Sequence, residues 1–146
     1  EKELGNIITI QESSNLQIGT GSRVWECAIV LGKYFVKQSN TRMDFKGKKI
    51  LELGAGTGLL SILLASFGGE VFATDIPEVM GILQNNLDLN KDLIEKNKGS
   101  VTKFPLDWYH EKEKQSEQLS AHKVTELDYI VASDVIFNTK QLHTFA

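Results

Sequence analysis

The chain is 146 residues long, 41% hydrophobic and 24% charged, proportions of an ordinary soluble domain with one buried core. Its formal net charge of −3 and its lack of a Lys/Arg cluster weigh against a nucleic-acid partner, whose phosphates call for a basic patch. No apolar run approaches the ~20 residues of a membrane-spanning helix, EKELGNIITI reads unlike a secretory leader, and a single cysteine, Cys27, excludes an internal disulfide. These features predict a cytoplasmic protein, present also in the nucleus, that acts on a protein or a small molecule.

Short β-type runs at 7–10 (IITI) and 16–18 (LQI) flank a polar turn and predict an N-terminal hairpin. A helix is expected from Ser22, as N-cap, to about Lys37, with Val24, Ala28, Leu31 and Phe35 on one face. Residues 1–40 thus form an N-terminal hairpin and helix, and 41–146 form the core of a single domain. The first main strand is Lys48–Leu53, followed by an apolar helix at Leu59–Phe67 that Gly68–Gly69 stops. Glu70–Thr74 is the second strand, closed by Asp75. The next helix holds Pro77 in its first turn and Val79, Leu83 and Leu87 on its buried face.

Ser100–Phe104 is the third strand, halted by Pro105. Residues 111–123 (EKEKQSEQLSAHK) lack apolar anchors and read as a polar loop or a loose helix, and Leu127–Ser133 is the fourth strand. Strands alternating with helices predict an α/β fold with a parallel sheet. Four strands leave two bare edges, which predicts that the native polypeptide continues beyond Ala146.

The sharpest motif is Glu52-Leu53-Gly54-Ala55-Gly56-Thr57-Gly58, set directly between a strand and a helix. Ligands of open α/β sheets bind beyond the strands' carboxyl ends, and glycine lets the backbone approach them. Asp75 ends the next strand, where an acid can accept hydrogen bonds from both ribose hydroxyls of an adenosine cofactor. The nicotinamide fingerprint is G-x-G-x-x-G, whereas here Leu59 stands at the third glycine. Glu52 suits a cationic amine and would repel a pyrophosphate. The loop therefore favours S-adenosylmethionine over a nicotinamide cofactor.

Four segments together resemble one family: Val24-Trp25-Glu26-Cys27-Ala28, the ELGAGTGLL loop with Asp75, Leu106-Asp107-Trp108, and Ala132-Ser133-Asp134-Val135-Ile136-Phe137. The chain is similar, over about residues 17–146, to the seven-β-strand protein-lysine methyltransferases. That resemblance implies a Rossmann-like fold of which this chain holds the N-terminal part and four parallel strands. It also implies that Trp25, Gly54, Ala55, Gly56 and Gly58 border S-adenosylmethionine and that Asp75 holds its ribose. Asp107 and Trp108 would flank the adenine, Ser133 would lie beneath the methionine portion, and Asp134 and Phe137 would meet the incoming amine. The family usually carries D-x-x-Y at this last motif, so Phe137 keeps the ring but lacks the hydroxyl.

Each residue also has a plainer reading. Trp25 and Trp108 could be packing residues and Asp134 a helix cap. Cys27 is expected to be a small buried hydrophobe, since no basic partner lies near it in sequence. His110, His122 and His143 lack metal-ligand spacing. The expected activity is methylation of a lysine side chain on a protein substrate. A methyltransferase acting on histidine, a small molecule or RNA, and a non-catalytic module of the same fold, are the alternatives.

Overall fold

A computed structural model of the chain describes residues 7–14, 19–39 and 41–136. Its elements are α1 (Glu26–Ser39), β1 (Lys49–Leu53), α2 (Leu59–Ser66), β2 (Glu70–Asp75), α3 (Met80–Leu89), α4 (Lys91–Lys96), β3 (Ser100–Pro105), α5 (Lys112–Ala121) and β4 (Tyr129–Ala132). Single 3-10 turns at Gly19–Ser22 and Pro77–Val79 precede α1 and α3.

The four strands form one parallel sheet in the order β3-β2-β1-β4. From β1 the chain winds outward to β2 and β3, then crosses back to lay β4 on the opposite side. This reversal leaves a crevice beyond the carboxyl ends of β1 and β4, the place where open α/β sheets take ligands. Asp128 pins the far end of that pair: its carboxylate accepts from Lys48 Nζ and from the Lys49 N–H, both at 2.9 Å. Those contacts hold the Asp128 carboxyl below its usual range.

Alternation along the strands builds two apolar layers. On one face Ile50, Val71, Ala73 and Val131 pack with Leu60, Ile62 and Leu64 of α2, Leu83 and Leu87 of α3, and Phe35 of α1. On the other, Leu51, Phe72, Phe104 and Leu106 form a smaller cluster backed by Leu119 of α5. Burying a side chain of this size contributes roughly 1.5–3 kcal/mol, so α2, with Leu60, Ile62, Leu64 and Ala65 almost wholly buried, anchors the first layer.

Two expectations change and one is decided. Residues 7–10 form no strand of a hairpin, and 16–18 lie outside the described residues. Instead of pairing with a strand, Thr9 and Gln11 donate their N–H groups to the Asn90 and Asn86 side chains at 2.9 and 2.7 Å. Ser22 does not cap α1: it sits in the 3-10 turn, its hydroxyl donates to the Gly19 carbonyl at 2.8 Å, and the helix starts at Glu26. Residues 112–121 take the helical of the two readings: Glu, Lys and Gln are good helix formers, none of the residues is buried, and Leu119 rests against the smaller cluster.

Candidate active site

A cavity of about 630 Å³ opens over the carboxyl ends of the strands, within the range of small-molecule sites. Four stretches supply its lining: Gly19–Trp25 before α1, the glycine loop after β1, Asp75–Val79 after β2, and Leu106–Tyr109 after β3. Ser133–Ile136, after β4, close it. Of the residues singled out in the sequence, Trp25, Glu52, Gly54, Ala55, Gly56, Asp75, Asp107, Trp108, Ser133 and Asp134 line it. Gly58 does not; it begins α2 behind the loop, and its N–H donates to Ala55 at 2.8 Å. Phe137 lies outside the described residues.

The loop's shape follows from two close approaches. Gly54 has φ +68°, and a Cβ there would stand 3.1 Å from Val135 Cγ1 and 3.2 Å from the Trp108 ring. Gly56, at φ +54°, would place a Cβ 3.3 Å from the Gly21 carbonyl oxygen. Left-handed φ is costly for residues with a side chain, and these neighbours leave little room for one. Gly19–Gly21 was not singled out for the site by sequence, although two glycines just ahead of Val24-Trp25 carried the signal. That segment faces the loop across the cavity.

Two backbone N–H groups brace Asp75. Its Oδ2 accepts the Gly56 N–H and its Oδ1 the Ile76 N–H, both at 2.8 Å. A carboxylate oxygen has two lone pairs, so each retains capacity for one hydroxyl of a ribose. Burial raises the Asp75 pKa, while the two backbone donors oppose the rise. The donor set therefore fits an adenosyl group.

Glu52 is buried beneath the loop, and its Oε2 accepts from the Ser61 hydroxyl of α2. Burial pushes its pKa up to about 8, the Ser61 bond opposes this, and the nearby Asp75 adds to it. At neutral pH the ligand-free carboxyl is thus mostly protonated. A cation nearby favours the ionised form, which suits the positive end of a methionine moiety.

Trp25 is not core packing. Its ring is 45% exposed at the cavity, and its indole N–H donates to the Thr20 carbonyl at 2.9 Å. Asp107 accepts the Tyr109 N–H at 2.9 Å, which turns the chain after β3. Asp134 is exposed and holds φ +53°, a placement rare for a residue other than glycine. It caps no described helix.

Cys27, expected to be buried, is exposed. The neighbouring Asp134 carboxylate raises the thiol's pKa, and the charge of Glu26 adds to the rise. A thiol held protonated is a poor nucleophile, which agrees with assigning it no covalent chemistry. Among the described residues no cluster of His, Cys, Asp and Glu could hold a metal ion.

A family model described as "Lysine methyltransferase" matches residues 2–146. The chain belongs to the lysine methyltransferase family. As a lysine methyltransferase family member it is 32% identical over 133 residues to EEF1A lysine methyltransferase 3 of Xenopus tropicalis, covering 91% of this chain and 53% of the relative. It is 35% identical over 133 residues to the protein-lysine methyltransferase METTL21E of Bos taurus, covering 91% and 42% respectively. The protein-lysine N-methyltransferase rrg1 of Schizosaccharomyces pombe is 30% identical over 136 residues, covering 92% and 43%. The chain spans about half the length of these relatives. A solved S-adenosylmethionine-dependent methyltransferase from Agrobacterium tumefaciens superposes with a TM-score of 0.54 at 20% identity, over 76% of this chain and 32% of that one. That likeness supports the Rossmann-like fold.

Proposed function

We propose that this protein transfers a methyl group from S-adenosylmethionine to a lysine side chain of a protein substrate, and that residues 1–146 are its cofactor-binding domain. The observation carrying the reading is one cavity at the switch point of the sheet that joins Glu52, Gly54, Gly56, Asp75, Trp108 and Asp134. When bound, the sulfonium supplies an activated methyl group. Asp75 would hold the ribose hydroxyls, Glu52 would neutralise the cationic end, and Trp25 and Trp108 would border the ligand with apolar surface. Ser133 would lie below the methionine portion, and Asp107 would fix the turn that presents Trp108.

The protein's main contribution is orientation with exclusion of water, since holding the amine in line with the S–CH3 bond supplies much of the rate. The nitrogen must also lose its proton. At the ordinary lysine pKa of ~10.4, only about one amine in ~2,500 is neutral at pH 7. Desolvation by Trp108 and Ile136 would lower that pKa. Asp134, which lines the cavity, would orient the amine as a hydrogen-bond acceptor.

The test is labelled cofactor added with the full-length protein to a cell extract. Label on protein, mapped to lysine and lost with Asp134→Asn, is the expected result. Label on histidine, on RNA or on a small molecule would favour another nucleophile, and binding of a partner without label would favour a non-catalytic module. We propose a cytoplasmic location that extends to the nucleus, a reading supported by the single cysteine. Among the described residues no helix is long and apolar enough to cross a membrane.

A further inference from the structure

Asn86 lies on α3, outside the cavity lining, and is wholly buried. Its side chain has no role in catalysis as described above, yet every polar position on it is used. Oδ1 accepts the Gln11 N–H at 2.7 Å. Nδ2 donates to the Gln11 carbonyl at 3.0 Å and to the Thr57 carbonyl at 2.9 Å. One amide therefore ties the N-terminal arm, in both backbone directions, to the glycine loop.

The arm continues this link to the opposite wall of the cavity. Glu12 Oε1 accepts the Val24 N–H at 2.7 Å, and the Ser13 N–H donates to the Ser22 carbonyl at 3.0 Å. Those contacts hold Gly19–Trp25, the segment whose Gly21 carbonyl approaches Gly56 and whose Trp25 lines the cavity. Asn86 thus anchors the loop directly through Thr57 and the facing wall through Gln11. A buried amide is suited to this, because leaving any of its partners unmatched costs the desolvation of that group. Asn90, one helical turn on, makes the same two-way pair with Thr9 at 2.9 and 2.7 Å and keeps the arm in register.

We infer that Asn86 is a positioning residue for the cofactor site: it sets the spacing between the glycine loop and the Gly19–Trp25 wall, so that the N-terminal arm and cofactor binding are coupled through it. The inference rests on the cavity being the cofactor site. The coupling predicts that ordering either wall tightens the other.

The experiment uses the full-length protein and S-adenosylhomocysteine. First, amide hydrogen exchange is followed in the native protein with and without the ligand. Slower exchange at Gln11 and Val24, which do not both line the cavity, is expected on binding, whereas unchanged exchange at Gln11 in a protein that binds would overturn the inference. Second, Asn86→Asp keeps the acceptor for Gln11 and loses both donations, and is expected to raise KM for S-adenosylmethionine about tenfold while kcat at saturating cofactor is retained. A folded variant with unaltered KM, or one losing kcat alone, would refute positioning. The exchange arm decides the matter if the variant does not fold. Failure of the native protein to bind the ligand would instead strike the cofactor reading itself.

Discussion

Replacing Glu52 by Gln should stabilise the ligand-free protein at neutral pH, by an amount that can be worked out from its environment. The carboxyl is 2% exposed and burial raises its pKa from 4.5 to about 8. Between those two values the folded state binds the proton and the unfolded state does not, so stability falls as pH rises through this window. Below about pH 4.5 the group contributes nothing, and above about pH 8 its cost no longer grows. At pH 7 the span from 4.5 is about 2.5 units, and at ~1.36 kcal/mol per unit the cost is about 3 kcal/mol. Gln has nearly the same volume, its amide oxygen can still accept from Ser61, and it carries no charge to desolvate. Urea unfolding of ligand-free wild type and Glu52→Gln at pH 5, 6, 7 and 8 should therefore show a stability gap that widens with pH to about 3 kcal/mol at pH 7 and more at pH 8. Parallel pH profiles would refute the reasoning. The same substitution should weaken S-adenosylhomocysteine binding, because the carboxylate that a cationic ligand would ionise is gone.

Asp75→Ala leaves the Gly56 and Ile76 N–H groups without their acceptor and removes the ribose contact. Calorimetric titration should show S-adenosylhomocysteine affinity reduced about 100-fold, and binding within threefold of wild type would contradict the assigned role. Gly54→Ala forces a side chain into left-handed φ between Val135 and Trp108. It should lower stability by about 1–2 kcal/mol and displace the indole, read as a changed tryptophan emission on ligand addition; an unaltered thermal midpoint and emission would argue against the crowding.

Much of this was legible in the sequence because the signals were local. The runs KKILEL, EVFAT and LDYIVAS, followed by Gly54, Asp75 and Asp134, each coincide with a strand of the observed sheet, the last shortened to Tyr129–Ala132. The Glu52–Gly58 motif, with Asp75 closing the next strand, pointed to the end of the sheet where the cavity opens, although Gly58 itself stays behind the loop. What was hidden depended on partners distant in the chain. The alternation of IITI suits a strand, but residues 9 and 11 bond to two side-chain amides near position 90, and nothing local distinguishes that partner from a neighbouring strand. Cys27 read as a small buried hydrophobe because no basic partner lies near it in sequence, whereas it is exposed in the first turn of α1. The Gly19–Gly21 turn read as a lead-in to a helix, since only the folded chain brings it against Gly56.

The sheet's order also has a consequence for biosynthesis. β1 is the first of the described strands to be made, yet it lies inside the described sheet and waits for β4 to cover its second edge. The Lys48–Asp128 pair that joins those strands spans 80 residues. A ribosome adding about 5–20 residues per second needs several seconds to complete that interval. During it the glycine loop and Asp75 can already be in place, while Ser133 and Asp134 are still unmade. The half of the cavity that would grip the adenosine is thus assembled early, and the half that would meet the substrate is assembled late.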